Sequence, residues 1–300
     1  MRRERRIVDG VLLLDKPSGM TSNAALQRAR WLLSAKKAGH TGTLDPMATG
    51  LLPLTFGEAT KFSQMLLEAD KEYEATIALG QETDTGDADG QPIGPVGEVG
   101  VLSAERLRPI LRQFVGDIEQ VPPMYSALKR DGKPLYEYAR AGIEIERAPR
   151  NVRVHALDLL EITDRTFTIV VRCSKGTYIR TLAIDLGRAL GCGAHLSALR
   201  RTSIGPFTVA TAVTLPRIES LAETERNGLL EPVDTLVGGF PSIALDDASC
   251  RAMLQGQTIR PVDPGAEPGP IRMYGAVGFI GLGMLTDQGE LSPKRLIATG

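Results

Sequence analysis

Apolar residues recur along the chain at the spacings that predict both strands and helices. The apolar run from Val11 to Leu14 predicts a short buried strand that ends at a Lys-Pro-Ser-Gly turn. Thr21 or Ser22 can cap a helix that continues to about Lys37. Three apolar residues at helical spacing would form its buried face: Leu26, Ala29 and Leu33.

Two further segments alternate between apolar and polar or smaller residues, a pattern typical of half-buried strands. They run from Tyr73 to Leu79 and from Phe167 to Cys173. The second segment leads through Ser174-Lys175-Gly176 into a predicted helix that ends at about Leu190. Because strands and helices interleave without regular crossover spacing, we predict an α+β fold with a mixed sheet.

The composition changes near residues 236–241, after which the chain is glycine-rich and strand-like. The clearest strand pattern of this part lies between Val277 and Leu285. We therefore place a domain boundary near Gly239, with a small β-rich domain after it. The alternative is a C-terminal hairpin that belongs to the main core.

The 300 residues, of which 42% are hydrophobic, can bury a sizeable core. Thirty-five basic and 36 acidic residues give a net charge of -1, so any binding of nucleic acid must be argued locally. The candidates are Arg200-Arg201 and the stretch from Lys129 to Arg153. Because three glutamates offset part of its charge, this stretch could equally be a solvated face.

Several classes of protein are disfavoured by composition. The basic start from Met1 to Arg6 resembles that of a signal peptide, but Asp9 and Asp15 interrupt the apolar run that follows, so we expect a cytoplasmic protein. Three cysteines without a Cys-x-x-Cys pair predict neither a disulfide framework nor a zinc site. Three aspartates that could suggest calcium have the wrong spacing for an EF-hand: Asp84, Asp87 and Asp89. We expect no metal and no cofactor.

The segment from Gly39 to Gly50 places one carboxylate on a constrained loop. Its sequence is Gly-His-Thr-Gly-Thr-Leu-Asp-Pro-Met-Ala-Thr-Gly. The glycines permit unusual backbone conformations, and Pro46 restricts both its own φ and the conformation of Asp45. Local chemistry alone leaves two interpretations of Asp45 open: an Asp-Pro turn former or helix cap, and a functional carboxylate.

This segment closely resembles the catalytic motif of the TruB family of tRNA pseudouridine synthases, in which the aspartate is essential. Other family-like stretches occur in the family's order. They are Asp15-Lys16-Pro17-Ser18-Gly19, Gly57-Glu58-Ala59-Thr60-Lys61, Thr83-Asp84-Thr85, Asp87-Ala88-Asp89-Gly90, Tyr125-Ser126-Ala127-Leu128-Lys129 and Lys175-Gly176-Thr177-Tyr178-Ile179-Arg180. The resemblance covers most of the first two-thirds of the chain.

The resemblance implies a stand-alone enzyme that isomerises uridine 55 in the T-loop of tRNA, with Asp45 as the essential residue. Arg180 would pair with Asp45, lower its pKa and keep it ionised at neutral pH. Tyr178 would lie beside this pair and could act on the base as a general acid or base. Whether Asp45 adds to the sugar or abstracts a sugar proton stays open.

The family also implies residues that hold the flipped nucleotide. Tyr73, Tyr178 and Leu199 would contact the base, although Tyr73 and Leu199 could simply pack in the core. His40 would occupy the space that the nucleotide leaves. Lys16 would bind substrate near the active site, and an ordinary turn at the end of a strand is the alternative for this residue.

The family architecture implies a catalytic domain over residues 1–238 and a PUA-like RNA-binding domain over residues 239–300. An insertion at about 124–152 would close over the T-loop and exclude water. Lys129, Arg130 and Lys133 of this insertion would contact phosphates. We expect tRNA as the partner, through its T-loop and stem, and a monomer with no membrane association and no obligate protein partner.

Three other functions are open to such a chain. A guide-RNA-dependent relative would lack the basic insertion and often carry charged tails, whereas this sequence has the insertion and ends at Thr299-Gly300. An RNA-folding factor would need no chemistry, which the intact set of Asp45, Tyr178 and Arg180 argues against. A nucleoside hydrolase usually needs paired acids or a metal, and no partner carboxylate is evident in the sequence.

Overall fold

The computed structural model describes residues 4–260 and 267–298; the expectations for Met1–Arg3 and for Thr299-Gly300 lie outside these ranges. The described chain forms a ten-stranded mixed sheet, a four-stranded sheet and two small two-stranded sheets. In chain order the strands are β1 (Gly10–Lys16), β2 (Ala38–His40), β3 (Thr49–Phe56), β4 (Lys71–Leu79), β5 (Glu82–Thr83), β6 (Pro92–Ile93), β7 (Gly116–Gln120), β8 (Lys129–Arg130), β9 (Lys133–Pro134), β10 (Arg150–Ile162), β11 (Thr166–Cys173), β12 (Ala194–Ile204), β13 (Phe207–Thr208), β14 (Val213–Thr214), β15 (Ser242–Ala244), β16 (Gly269–Gly275), β17 (Gly278–Leu285) and β18 (Leu291–Leu296).

Helices connect and cover these strands. The α-helices are α1 (Ser22–Leu32), α2 (Ser63–Glu68), α3 (Ala104–Gln113), α4 (Leu135–Arg140), α5 (Ile179–Ala189), α6 (Leu215–Ser220) and α7 (Asp247–Leu254). Short 3-10 helices lie at Gly57–Phe62, Val209–Thr211, Arg226–Leu229 and Val233–Val237. Within the described ranges no helix is both long and apolar enough to cross a bilayer.

The large sheet brings together strands that are far apart in the sequence. Its order is β14-β1-β3-β12-β4-β11-β10-β7, with β2 paired to β3 and β13 paired to β12. β12 runs parallel to β3 and antiparallel to β4, so Arg201 lies opposite Gly50 on one side and opposite Tyr73 on the other. The predicted α+β fold with a mixed sheet is confirmed.

The apolar run in β1 is buried because both faces of the strand are covered. Leu12 and Leu14 belong to the main core, whereas Val11 and Leu13 face a second core that includes Leu51. Successive side chains of a strand point to opposite faces, so a strand covered on both sides is continuously apolar. Burying these leucines and valines contributes about 1.5–3 kcal/mol each.

The first helix begins as predicted but ends early. Thr21 is its N-cap, and the Thr21 hydroxyl accepts a hydrogen bond from the amide of Ala24 at 3.1 Å. The prediction that the helix continues to about Lys37 is wrong, since α1 ends at Leu32 and Ser34 adopts a left-handed φ of 53°. The amide of Lys36 then bonds to the carbonyl of Arg6, a contact that helical geometry does not allow.

The predicted junction between strand and helix after Cys173 is also confirmed. β11 ends at Cys173, and α5 starts at Ile179 with Tyr178 at its N-cap. Tyr178 is therefore fixed at a helix terminus, and Arg180 lies in the first turn. α5 packs against β12, the strand of the large sheet that carries Arg201.

The C-terminal part forms its own β-rich unit. β15 to β18 form the four-stranded sheet, whose core includes Met253 from α7 and Ile280 from β17. The unit contacts the main part of the chain through Phe62 and Phe279, whose ring centroids lie 5.7 Å apart. The predicted β-rich character of this region, including the strand at Gly278–Leu285, is confirmed.

Candidate active site

The loop that carries Asp45 follows α1 and β2 in the chain and connects β2 to β3. Gly42 and Gly50 at its two ends have φ values of 108° and 97°, which L-residues with a side chain rarely adopt. Ser22 holds the middle of the loop: its hydroxyl accepts from the amide of Leu44 at 2.8 Å and donates to the Leu44 carbonyl at 3.0 Å. The Asp45 carbonyl accepts from the amide of Ala48, so Asp45 occupies a turn and not a helix cap.

The carboxylate of Asp45 leaves this turn and meets Arg180. Arg180 Nε lies 2.9 Å from Asp45 Oδ2, and Nη2 donates to Oδ1 at 3.2 Å. The same guanidinium donates to the carbonyls of Thr85 and Tyr125, at 2.9 and 2.7 Å. The side chain of Arg180 is only 5% exposed. The structure thus places the two residues, which are far apart in the sequence, in direct contact.

A second carboxylate, that of Asp87, approaches the same Nε atom of Arg180 and was missed as a site residue. Asp87 Oδ2 lies 3.6 Å from Arg180 Nε, and its side chain is 6% exposed. Asp87 Oδ1 accepts from the Thr85 hydroxyl at 2.6 Å and from the amide of Asp89 at 3.1 Å. The acidic run that was considered as a calcium site is the sequence signal that could have identified Asp87. Within the described ranges no group of three potential ligands is positioned for a metal.

The electrostatics of Asp45 are set by burial and by three charged neighbours. Burial raises the pKa of Asp45 above its ordinary value, the Arg180 guanidinium lowers it, the Asp87 carboxylate raises it again, and Lys16 lowers it. The net direction is upward. The Arg180 guanidinium lowers the pKa of Asp45 as expected, but the desolvation of the carboxylate outweighs this contribution.

Tyr178 is held at the cleft by a buried residue that the sequence analysis did not identify. The amide of Tyr178 donates to Gln120 Oε1 at 3.0 Å, and Gln120 Nε2 donates to the Tyr178 carbonyl at 3.3 Å. Gln120 is 3% exposed and lies at the end of β7, the edge strand. Burial raises the pKa of the Tyr178 hydroxyl, so this group stays protonated over a wider pH range than a free tyrosine.

A cleft of about 900 Å³ opens in front of Asp45 and Arg180. It brings together most of the residues predicted to contact the substrate: Tyr73, Tyr178, Leu199 and His40. Tyr73 and Leu199 are 9% and 7% exposed, so both pack in the core and reach the cleft from it. Both interpretations of these two residues are thus compatible with the structure.

His40 also lines the cleft, and its Nδ1 atom is buried without a hydrogen-bond partner. Burial and the nearby charge of Arg201 lower the pKa of His40. A neutral imidazole without a partner is a weak candidate for acid or base chemistry, in keeping with the expectation that His40 fills space.

Lys16 lies beneath the loop and does not line the cleft, so the structure gives no support to its predicted contact with substrate. Its side chain is fully buried, and its ammonium donates to the carbonyls of Pro17, Met20 and Pro46 at 2.8, 2.6 and 3.3 Å. Burial lowers the pKa of Lys16 to about 8. Its contact with Pro46 supports the turn that carries Asp45.

The basic insertion forms a small hairpin and a short helix at the rim of the cleft. Lys129 and Arg130 form β8 and are exposed, and Lys133 begins β9 with a half-exposed side chain. Tyr125 and Arg140, which bracket this segment, line the cleft. The exposed cations are therefore available to a ligand that enters the cleft.

The pair Arg200-Arg201, one of the two local candidates for binding nucleic acid, does not form an exposed basic patch. Arg201 is 1% exposed and points into the protein, and Arg200 forms a two-oxygen contact with Asp15 at 3.0 and 2.8 Å. Alternation along β12 buries one arginine and leaves the other half-exposed. The prediction of a shared basic surface at this pair is wrong.

Family models match the chain over three adjacent segments. Residues 30–179 match the TruB family pseudouridylate synthase N-terminal domain, residues 180–238 match the tRNA pseudouridylate synthase B C-terminal domain, and residues 241–297 match the model described as pseudouridine synthase II TruB, C-terminal. Together these matches extend over most of the chain.

Curated relatives and solved structures agree with the family models. The chain is 62% identical to tRNA pseudouridine synthase B of Aromatoleum aromaticum, over 99% of this chain and 96% of the relative. It is 54% identical to the protein of that name from Burkholderia mallei, over 100% of this chain and 97% of the relative. Among solved structures, it resembles a chain of a Cbf5-Nop10-Gar1 complex with 28% identity and a TM-score of 0.70, covering 97% of this chain and 84% of the other.

A further structure, of an H/ACA RNP bound to a substrate RNA containing 2′-deoxyuridine, matches with 26% identity and a TM-score of 0.71. The match covers 97% of this chain and 85% of the other. The likeness therefore includes both the large mixed sheet and the C-terminal β-rich unit.

Proposed function

The chain belongs to the TruB family of pseudouridylate synthases, and we propose that it acts on uridine 55 in the T-loop of tRNA, without a guide RNA, through Asp45. As a TruB-type enzyme it is a stand-alone tRNA pseudouridine synthase. The observation that carries the proposed site is the contact of Asp45 with Arg180 at the edge of a cleft large enough for a nucleotide. Its tRNA substrate implies action in the cytoplasm.

Pseudouridine formation exchanges one glycosidic bond for another. The C1′–N1 bond breaks, the uracil turns, and a C1′–C5 bond forms; C5 then loses its proton and N1 gains one, so the net composition is unchanged. A carboxylate near C1′ can add to the sugar or remove the proton at C2′. Both routes need Asp45 in its ionised form, which the contact with Arg180 favours and burial opposes.

The rest of the cleft supports the handling of an extruded base. A uridine within a folded loop must leave its stack before C1′ becomes accessible. Tyr178 and Tyr73 offer aromatic surfaces and Leu199 an apolar one. Tyr178, whose hydroxyl stays protonated, can also donate a hydrogen bond to a uracil carbonyl. These assignments follow from the position of each side chain along the cleft.

We assign the RNA backbone contacts to the insertion. Lys129, Arg130 and Lys133 lie in the segment between Leu128 and Tyr136, which both line the cleft. From there they would meet phosphates of the T-loop and stem. We divide the chain into a catalytic domain at 1–238 and a PUA-like domain at 239–300, and we propose that it functions as a monomer. The division follows the change from the large sheet to the separate four-stranded sheet.

The test is tritium release from an unmodified tRNA transcript labelled at C5 of uridine, with the purified protein and no other RNA. Release by the wild type is expected, with loss in Asp45→Asn and with a transcript that carries cytidine at position 55. Release from the cytidine transcript would contradict the site, and full activity of Asp45→Asn would contradict the role of Asp45. Free uracil among the products would indicate hydrolysis, and binding without release would indicate an RNA-folding role.

A further inference from the structure

Arg201 is a buried guanidinium at the floor of the cleft. It is 1% exposed, and none of the ion pairs formed among residues 4–260 and 267–298 includes it. Burial and, to a smaller extent, the charge of Arg201 lower the pKa of three neighbouring groups: Lys16, His40 and Lys71. A buried cation without a carboxylate partner is unfavourable unless its N–H groups are bonded elsewhere. The partners of Arg201 therefore indicate what the residue does.

These partners are the two ends of the loop that carries Asp45. Arg201 Nε donates to the carbonyl of Leu51 at 2.7 Å, and Nη2 donates to the carbonyl of Gly42 at 3.3 Å. The planar guanidinium thus spans the mouth of the loop and fixes the separation of its two ends. The side chain of Lys16 supports the same loop from below, through Pro46.

The backbone of Arg201 approaches the same loop. Arg201 pairs with Gly50 in the parallel ladder between β12 and β3, and a Cβ atom at Gly50 would lie 2.3 Å from the Arg201 carbonyl oxygen. Such a distance is far below van der Waals contact, so only glycine permits this approach. Main chain and side chain of one residue therefore hold the C-terminal end of the loop.

Arg201 also reaches across the sheet to Tyr73. The two residues are directly opposite in the antiparallel ladder between β12 and β4. Burial raises the pKa of the Tyr73 hydroxyl, and the nearby Arg201 guanidinium opposes this increase. Arg201 thus connects the Asp45 loop to an aromatic ring of the cleft.

We propose that Arg201 is a positioning residue that holds the Asp45 loop at a fixed distance and orientation relative to Tyr73. The inference rests on the proposed function of Asp45 and adds a residue of the cleft lining whose hydrogen bonds go to the ends of the Asp45 loop and not to Asp45 itself. If the Asp45 carboxylate and the Tyr73 ring bind opposite sides of one nucleotide, a change in their relative position should slow the chemical step. The same change should have a smaller effect on the affinity for tRNA. A displacement of about 1 Å at a reacting group can lower a rate by about 100-fold.

The experiment compares Arg201→Lys with a matched control, Arg226→Lys. Arg226 also joins separate segments through carbonyls only, with bonds to Ile218 and Leu32 at 3.0 and 2.9 Å, and it does not line the cleft. Single-turnover tritium release, tRNA affinity and the thermal midpoint are measured for both variants, at a temperature far below the midpoint. Arg201→Lys should release tritium about tenfold or more slowly with unchanged tRNA affinity. Arg226→Lys should change only the thermal midpoint.

Hydrogen exchange of the loop amides at residues 43–49 gives a readout that does not depend on activity. Arg201→Lys should accelerate exchange in this segment, and Arg226→Lys should not. Tyr73→Phe and the double variant complete the comparison: because Arg201 and Tyr73 are direct cross-strand neighbours, the effects of the two changes on the rate should be less than additive.

A rate of Arg201→Lys equal to that of the wild type, or a decrease explained wholly by the unfolded fraction, would overturn the proposal. So would unchanged exchange of the loop in a folded variant. If Arg201→Lys did not fold, an unaltered rate in Tyr73→Phe would overturn the connection to the ring. Asp45→Asn is assayed in parallel: if it stayed active, the function proposed for Asp45 would fail, while the exchange result would still decide the role of Arg201.

Discussion

Arg180 contacts both carboxylate oxygens of Asp45, with Nε 2.9 Å from Oδ2 and Nη2 3.2 Å from Oδ1. The remaining hydrogen bonds of the guanidinium go to the carbonyls of Thr85 and Tyr125. One arginine thus fixes the orientation of the carboxylate and joins it to the segment that begins the basic insertion. A fork of donors with fixed geometry can do this, whereas a single ammonium cannot.

Arg180→Lys should lower the single-turnover rate by about 100-fold or more, because lysine keeps the charge but cannot meet the carboxylate and both carbonyls. The affinity for tRNA should remain unchanged. The matched control is Arg188→Lys on the same helix, where the arginine bonds to both oxygens of Glu82 at 2.9 Å on the surface. Equal rates in the two variants would show that the contact with Asp45 is not needed for the chemical step.

Asp87 should set the pH at which the enzyme loses activity in acid. The pKa of Asp45 is raised, and the proposed function requires its ionised form, so activity should be present above the raised pKa and should be lost as the pH falls through it. The Asp87 carboxylate is one cause of the increase. In Asp87→Asn the acid limb of the pH–rate profile should therefore move to lower pH.

The profile is measured as single-turnover tritium release, so that product release does not obscure the chemical step. Asp89→Asn is the control, because only the backbone of Asp89 contacts Asp87. A shift of the acid limb to higher pH in Asp87→Asn would mean that Asp87 acts mainly by orienting Arg180, and not through its charge on Asp45.

Gln120 should matter for activity although it does not line the cleft. Gln120→Met removes both hydrogen bonds between Gln120 and the backbone of Tyr178. The Tyr178 amide then lacks its partner, whereas the Tyr178 carbonyl keeps the bond from the amide of Leu182 at 3.1 Å. Such a change destabilises by about 1–3 kcal/mol per unsatisfied group, so the thermal midpoint should fall. The rate should fall by about tenfold at a temperature where the variant is folded, because Tyr178 is no longer fixed at the start of α5.

Exposed Gln113, at the end of α3, supplies the comparison for this variant. Gln113→Met should leave both the midpoint and the rate unchanged. If Gln120→Met lowered the midpoint but kept the wild-type rate, the hydrogen bonds to Tyr178 would serve stability alone.

Removing the positive charges of the insertion should lower the affinity for tRNA and should make that affinity less dependent on salt. Replacing Lys129, Arg130 and Lys133 by glutamine removes three cations, each expected to lower the slope of log affinity against log salt by about 0.7–0.9 if it contacts a phosphate. Binding is measured by titration at several salt concentrations. Arg108→Gln with Arg112→Gln provides a control, since both residues are exposed on α3 away from the cleft lining. Equal slopes in the two variants would exclude phosphate contacts at the insertion.

Much of the local structure was determined by the sequence alone. The alternation from Tyr73 to Leu79, the apolar run of β1, and Thr21 at the start of α1 predicted elements that are present, because burial periodicity and capping are local properties. The motif around Asp45 also pointed to one carboxylate, and the family resemblance identified Arg180 as its partner. The end of α1 was missed, since the left-handed Ser34 and the bond to Arg6 are set by the chain that packs beside the helix.

Only the tertiary structure decided how the site works. The order of the large sheet places β12 between β3 and β4, so Arg201 is buried between Gly50 and Tyr73 while its neighbour Arg200 stays at the surface. The same packing brings Asp87 to Arg180 and removes Asp45 from water, so burial outweighs the lowering by Arg180 and the net pKa shift of Asp45 is upward. Desolvation and contacts between distant residues depend on which strands are neighbours, and no local pattern in the sequence encodes that choice.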